Sequence, residues 1–164
     1  MHGGYRPALN HAGMVARMRL RKTPIVVAYW KAHRWAYRAS GGRIGQGSGR
    51  RKSLLLTTTG RKSGEKRHVA LTYLEDGDAF VVVASYLGEP HNPAWYLNLQ
   101  ANPQATVRIG TREFAVLARE AEGEERERLF GRFDIEIGGY QAYADQTQRR
   151  IPVVVLEHRI TASS

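Results

Sequence analysis

Cysteine is absent from this chain of 164 residues, which excludes disulfide scaffolds, thiolate metal sites and cysteine nucleophiles. Long hydrophobic runs are also missing, since the longest apolar stretches, such as Ile25 to Trp30, are far shorter than the roughly 20 residues that a membrane helix needs. The basic N-terminus lacks the apolar core and cleavage site of a signal peptide. We therefore expect a cytoplasmic globular protein with one compact domain.

Acidic residues are absent from the first 64 positions. The whole chain has 25 Lys and Arg against 15 Asp and Glu, a net charge of +10, and residues 1–64 contain 14 of these cations. Such a charge distribution attracts polyanions, which include nucleic acid, an anionic membrane surface and small molecules with phosphate or carboxylate groups. The charge does not choose among these three classes of partner.

Signatures of metal and hydrolytic enzymes are missing too. The six His show no metal-ligand spacing, so we expect no metal. Ser85 lacks the flanking glycines of a nucleophile elbow, and no general acid–base pair stands out. If the chain is an enzyme, its difficult chemistry is expected to come from a cofactor.

Two parts of the chain differ in composition. Residues 1–49 are predicted to form a basic helical extension that ends in a Gly-rich linker from Ser40 to Gly49. Within the extension, Val26, Trp30, His33 and Tyr37 follow one helical stripe. Residues 50–164 are predicted to form the compact domain.

The compact domain is predicted to consist mostly of strands joined by hairpins, with turn signals at Asp76-Gly77 and Gly110-Thr111. Pro152 favours either a strand start or an edge strand. Hairpins without strand–helix–strand alternation indicate an antiparallel barrel, a mainly β fold with helices. The predicted strands are Ser53–Thr59, Arg67–Leu74, Ala79–Ser85, Ala105–Ile109, Glu113–Ala118 and Pro152–Leu156, and the predicted helices are Ala94–Ala101 and Gly123–Phe133.

The most informative segment for function is a basic loop after the first predicted strand. Gly60 and Gly64 free backbone amides to face an anion, and cationic side chains supply charge-assisted hydrogen bonds to phosphate. The loop is not a Walker loop, because the Gly-Lys-Ser/Thr ending and the following helix are missing. A solvated basic turn is the alternative. The four cations are Arg61, Lys62, Lys66 and Arg67.

Two aromatic pairs are further candidates. Trp95 and Tyr96 stand at the start of a helix opened by Pro93, where they would flank a planar ring next to an anion-attracting N-terminus. Tyr140 and Tyr143 would share one helical face and close a pocket with their hydroxyl groups. For the first pair, the alternative is that one ring plugs the barrel core and the other is incidental. For the second pair, the alternative is simple packing with the polar tip outward.

Together these segments resemble the deazaflavin-dependent nitroreductase family, the F420-utilising relatives of the FMN-binding split β-barrel proteins. The resemblance extends from about Ser53 to Leu156. It implies an antiparallel split β-barrel of the FMN-binding type and coenzyme F420, a polyanionic deazaflavin, as cofactor in preference to FMN. It is carried by Leu55 to Gly64, Asp76-Gly77, Val82 to Ser85, Asn92 to Pro103, Tyr140-Gln141 and Arg150 to Val153.

The resemblance also implies residue roles. Arg61, Lys62, Ser63 and Arg67 would hold the phosphate and tail of F420. The ring and ribityl pocket would be lined by Val69, Ala70, Thr72, Val83, Ala84 and Ser85, and the deazaflavin would be covered by Ala94, Trp95, Tyr96 and Asn98. Ser85 would lie close to the reacting centre, and Tyr140 would close the substrate side. Lys66 and Ala70 stand where relatives usually have proline, and Tyr86-Leu87-Gly88 replaces a smaller turn after the serine.

The function implied is hydride transfer from reduced F420 to an electron-poor organic acceptor: a quinone, a nitroaromatic or an activated alkene. The runner-up is a non-catalytic basic module that binds nucleic acid or an anionic membrane. No nucleic-acid motif appears in the chain, so no nucleic-acid partner is expected. The N-terminal helices are expected either to pack on the barrel or a second subunit or to contact a membrane, in a monomer or a homodimer.

Overall fold

A computed structural model describes residues 52–159, so the predicted N-terminal helices and the linker lie outside the described residues. Seven strands form one antiparallel sheet in the order β2-β1-β5-β6-β7-β4-β3, and three α-helices flank it. The strands are β1 (Ser53–Thr59), β2 (Lys66–Thr72), β3 (Leu74–Asp76), β4 (Ala79–Val83), β5 (Gln104–Ile109), β6 (Arg112–Glu120) and β7 (Val153–His158). The helices are α1 (Ala94–Ala101), α2 (Gly123–Glu136) and α3 (Tyr140–Ala144).

The sheet curls because its two edge strands are neighbours in the chain. β2 and β3 lie at opposite edges, yet Tyr73 is the single residue between them. The Tyr73 amide donates to the carbonyl of Lys52 at 3.2 Å, which ties this junction to the residue before β1. The predicted antiparallel barrel is therefore confirmed, although the predicted strand Arg67–Leu74 breaks at Tyr73 into two strands.

Alternation along the strands fills the concave face. Leu54 and Leu56 of β1 point inward with Val107 of β5, as expected when successive side chains face opposite sides of a sheet. Trp95 and Tyr96 from α1 join this inner cluster, so α1 packs on the end of β1 rather than projecting away.

A second cluster lies on the convex face of β3, β4 and β7. Leu129 and Phe133 of α2 pack there against Val81 and Val153. Asp76 at the end of β3 accepts hydrogen bonds from Arg128 and Arg132 of α2, at distances of 2.8 to 3.0 Å, which fastens the helix to the sheet edge.

Pro152 directly precedes β7, so its interpretation as a strand start is confirmed. The edge-strand alternative is wrong, because β7 pairs with both β6 and β4 in the interior of the sheet. A proline just before the first paired residue removes no hydrogen bond from the ladder. No helix within residues 52–159 has the length and apolarity needed to cross a membrane.

Candidate functional site

The basic loop between β1 and β2 is a tight turn. The Gly60 amide donates to the Glu65 carbonyl and the Gly64 amide donates to the Gly60 carbonyl, both at 2.7 Å. Gly64 has a φ of 72°, in the region that glycine adopts without strain. A Cβ at Gly60 would lie only 2.8 Å from the Ser63 hydroxyl oxygen, so a larger residue at this position would force Ser63 to move.

The cations of this loop differ in their partners. Arg67 donates to the Ser63 hydroxyl at 3.2 Å and pairs with Glu65 at 3.0 Å. Arg61 and Lys62 are exposed and contact no carboxylate among residues 52–159. Their charge is therefore free to bind an anion, whereas part of the Arg67 charge is already neutralised.

Asn98 joins the loop to α1. Its Oδ1 accepts from the backbone amide and from a guanidinium nitrogen of Arg61, each at 3.2 Å, and its Nδ2 donates to the Thr58 hydroxyl at 3.2 Å. Both Asn98 and Thr58 are buried. The amide thus holds the basic loop beside the first turns of the helix.

α1 follows Pro93 and begins at the exposed Ala94. No side chain within the described range caps the free amide groups at this helix start. Such amides carry partial positive charge and favour an anion. The Trp95 and Tyr96 rings are buried and meet edge-to-face with centroids 6.3 Å apart. Both rings belong to the inner core cluster, so neither is incidental to the packing.

The Tyr96 hydroxyl is engaged on the far side of the helix. It donates to Glu120 Oε2 at 2.5 Å and accepts from Gln100 Nε2 at 2.8 Å. Burial, together with the neighbouring Glu120 carboxylate, raises the pKa of Tyr96 above its ordinary value. The phenol therefore stays protonated and serves as a structural donor.

Ser85 follows β4 at the start of an unusual turn. Tyr86, Leu87 and Gly88 have φ values of 48°, 57° and 73°, three consecutive residues in the left-handed region. L-residues with side chains adopt this region at an energetic cost, so the surroundings must hold it. The Ser85 hydroxyl is half-buried and has no hydrogen-bond partner in the part of the chain that the structure describes.

Arg149 holds this turn. Its guanidinium donates to the carbonyls of Ala84, Ser85 and Glu89 and to Asn92 Oδ1, at distances from 2.8 to 3.0 Å. Sequence reasoning missed this role, because nothing local distinguishes Arg149 from the exposed Arg150 beside it.

Tyr140 begins α3, and its half-buried ring packs edge-to-face on Phe133 at 4.6 Å and on Tyr143 at 5.8 Å. The predicted shared face of the two tyrosines is confirmed. α3 lies against the left-handed turn, since a Cβ at Gly88 would approach the Tyr143 carbonyl to 2.9 Å. Ser85 and Tyr140 thus belong to neighbouring elements.

The strand residues expected to line the ring pocket divide between the two faces of the sheet. Val69 and Ala84 pack with the inner cluster, and Val83 lies under α2 in the outer one. Ala70 and Thr72 alternate with Val69 and are half-buried. The structure therefore brings together the basic loop, Asn98 and α1, and separately Ser85 and α3, but it does not gather these strand side chains on one surface.

The residues present fit an anionic ligand. Two unneutralised cations and the uncapped amides of α1 supply donors near buried Asn98, whereas the Gly60 and Gly64 amides are already used within the turn. Phosphate and carboxylate oxygens accept from this kind of donor set. The carboxylate of the loop, Glu65, is exposed and pairs with Arg67.

Comparison with known proteins identifies the family. Residues 29–158 match the sequence profile of the F420H(2)-dependent quinone reductase family. An F420H(2)-dependent quinone reductase of Mycobacterium tuberculosis is 41% identical over 133 residues, which are 79% of this chain and 89% of the relative.

Two solved structures agree. An F420-H2-dependent reductase is 42% identical, with a TM-score of 0.60 over 64% of this chain and 93% of the other. A structure described as a domain-swapped dimer is 34% identical, with a TM-score of 0.63 over 82% of this chain and 100% of the other. The expected split-barrel fold, F420 cofactor and oxidoreductase class are confirmed, and the chain belongs to the F420H(2)-dependent quinone reductase family.

Proposed function

We propose that this chain transfers a hydride from reduced F420 to a quinone, giving the oxidised deazaflavin and, after proton uptake, the hydroquinone. The observation that carries the proposal is the pair of unneutralised cations, Arg61 and Lys62, in a loop that Asn98 holds against the middle of α1 through Arg61. An anionic cofactor tail would bind there while its ring reaches toward Ser85. When bound, reduced F420 supplies the hydride, and the protein supplies orientation, shielding from water and hydrogen bonds.

The basic loop would bind the phosphate and tail through Arg61, Lys62, Ser63 and Arg67. Asn98 bonds both Arg61 and Thr58, so it would support the basic loop while it covers the deazaflavin from α1. Ala94 offers the exposed surface of α1, while buried Trp95 and Tyr96 would support the ring site from below.

Ser85 and Tyr140 would act on the acceptor. A hydride added to a quinone leaves negative charge on its oxygen, and a nearby hydroxyl donor stabilises that charge. The unpartnered Ser85 hydroxyl is available for this hydrogen bond. Tyr140 would close the substrate side from α3.

The direct test follows reoxidation of reduced F420 by absorbance, with a soluble quinone, a nitroaromatic and an activated alkene as acceptors. We expect the quinone to have the highest kcat/KM. Binding of F420 with no oxidation by any acceptor would contradict the reductase activity and favour the runner-up, a non-catalytic binding module.

The basic loop gives a sharper prediction. Lys62→Ala should weaken F420 binding at least about tenfold, because a charge-assisted hydrogen bond contributes about 1.5–3 kcal/mol. Binding is measured by titration at low salt, and the difference should shrink in 0.5 M salt because the charges are screened.

The matched control is Arg112→Ala. It removes one exposed cation at the β5–β6 hairpin, near the start of β1 and therefore at the other end of that strand from the loop. Equal weakening by both variants would mean that overall charge, and not the loop, attracts the cofactor. Calorimetry with FMN completes the set, since tighter binding of FMN than of F420 would contradict the cofactor preference.

Location and assembly are separate proposals. The protein would be cytoplasmic, its N-terminal segment would contact an anionic membrane, and it would act as a monomer or homodimer. The concentration of positive charge in residues 1–64 supports the membrane contact, and the 34% identical domain-swapped dimer supports a dimer.

A further inference from the structure

We propose that Arg149 is a positioning residue for hydride transfer, holding the turn after Ser85 in the conformation that sets Ser85 opposite the start of α1. The inference rests on the proposed function for its activity readout. Arg149 lies between α3 and β7, outside every segment that binds the cofactor in the proposal above.

The contacts of Arg149 enclose the whole turn. One terminal nitrogen donates to Ala84 at 3.0 Å and to Ser85 at 2.8 Å, at the beginning of the turn. Nε donates to Glu89 at 2.8 Å, and the other terminal nitrogen donates to Asn92 Oδ1 at 2.8 Å, at its end. A planar guanidinium offers donors in several fixed directions, which the ammonium of lysine cannot reproduce.

The enclosed residues need such support. Tyr86 and Leu87 carry side chains in the left-handed region, where backbone strain persists when the surroundings hold it. The turn has its own bond from the Gly88 amide to the Ser85 carbonyl at 2.9 Å, but that bond shares its acceptor with Arg149. Loss of the guanidinium would take a donor from the carbonyls of buried Ala84 and half-buried Glu89, and it would let the strained residues relax.

The position of α1 depends on the same side chain. Asn92, which Arg149 binds, is followed directly by Pro93 and the first residue of the helix. Arg149 therefore connects Ser85 to the start of α1 across the turn. In the proposed reaction the acceptor lies near Ser85 and the cofactor lies along α1, so Arg149 sets the distance between the two reactants.

Arg149 also brings a positive charge to the turn. Arg149 is half-buried and pairs with no carboxylate in the described range 52–159. Burial lowers its pKa from the ordinary value, but a guanidinium stays protonated at neutral pH. Its positive charge therefore lies at the Ser85 carbonyl oxygen, to which the guanidinium donates at 2.8 Å.

The test compares Arg149→Lys with Arg150→Ala in the full chain. Arg149→Lys keeps the positive charge but loses the planar set of guanidinium donors, so kcat with a soluble quinone should fall on the order of 10- to 100-fold. The dissociation constant of F420, set by the basic loop, should change less than about threefold. Hydrogen exchange should accelerate at the amides of Gly88 and Glu89 while the β1–β5 ladder stays protected. Arg150→Ala, which loses one exposed ion pair to Glu127, should behave as the native protein.

Asn92→Ala keeps the experiment decisive if Arg149→Lys does not fold. It removes one of the four acceptors and should lower kcat about threefold, with faster exchange in the same turn. An Arg149→Lys enzyme with native kcat overturns the positioning role, and so does exchange that accelerates equally across the sheet. Failure of the proposed function looks different, because the native protein itself would then reduce no quinone.

Discussion

Asn98 shows how one buried side chain can hold a loop against a helix. Its amide satisfies Thr58 on one side and both the backbone and side chain of Arg61 on the other. Buried polar groups left without partners are costly, so the three residues form a unit that is kept or lost together.

Asn98→Ala should therefore have two effects. The free energy of unfolding should fall by about 1–3 kcal/mol, because the Thr58 hydroxyl and the Arg61 amide lose a partner. F420 binding should weaken as well, since the loop loses its attachment to α1. Denaturant unfolding and ligand titration measure the two effects.

Asn102→Ala is the control for this variant. Asn102 lies at the other end of α1, where its side chain accepts from the Gln104 amide at 3.1 Å. We expect this variant to leave F420 affinity unchanged. If Asn98→Ala also binds F420 normally, the loop is positioned by its own turn and not by the helix.

At the scale of elements, α2 is attached to the sheet by an acid that bridges two of its arginines. The hydrogen bonds and charges of Arg128 and Arg132 lower the pKa of the Asp76 carboxyl below its usual range. A carboxyl with a lowered pKa in the folded state contributes stability above its unfolded-state pKa, and that contribution disappears as the pH falls through the folded-state value.

Asp76→Asn should accordingly lower the melting temperature at pH 7, on the order of 4 °C. Native protein and variant should converge as the pH falls through the lowered folded-state pKa of Asp76, because the native carboxyl then becomes protonated too. Thermal unfolding followed by circular dichroism between pH 2 and 7 checks this prediction.

Asp78→Asn, in the same turn, removes the same charge from an exposed side chain that forms no ion pair among residues 52–159. It should change the melting temperature little at either pH. A difference between native protein and Asp76→Asn that does not shrink as the pH falls from 7 to 2 would contradict the electrostatic explanation.

At the scale of the whole molecule, the basic N-terminal segment is predicted either to contact an anionic membrane or to pack on the barrel or a second subunit. A chain that starts near Gly49 should lose binding to anionic vesicles, because each Lys or Arg near an anionic surface contributes about 1 kcal/mol. It should still reduce a soluble quinone. Vesicle sedimentation and the absorbance assay measure both properties, with neutral vesicles as control.

Other results of the same experiment would contradict the membrane contact. If the shortened chain precipitates, or binds vesicles as well as the full chain does, the N-terminal segment packs on the barrel or on a second subunit. The family match begins at residue 29, so the shortened chain also lacks residues 29–48 of the matched segment.

The elements of the described domain were predictable because their signals are local. Pro93 and Asn102-Pro103 delimit α1, so its predicted and observed bounds coincide at Ala94–Ala101. Turn residues at Asp76-Gly77 and Gly110-Thr111 predicted both hairpins, which the pairings of β3 with β4 and of β5 with β6 confirm. The basic loop was predictable too, because two glycines and four cations occur within eight consecutive residues.

The order of the strands and the support of the site were decided by the tertiary structure. Arg149 reaches the Ala84 carbonyl 65 positions earlier in the chain, and Asn98 reaches Arg61 across 37 positions. No pattern within a window of the sequence encodes such pairs, because they form only when the sheet curls and brings distant loops to one end. By itself the sequence therefore determined which segments are strands, helices and basic turns, whereas the curled sheet decided which side chains hold those segments in place.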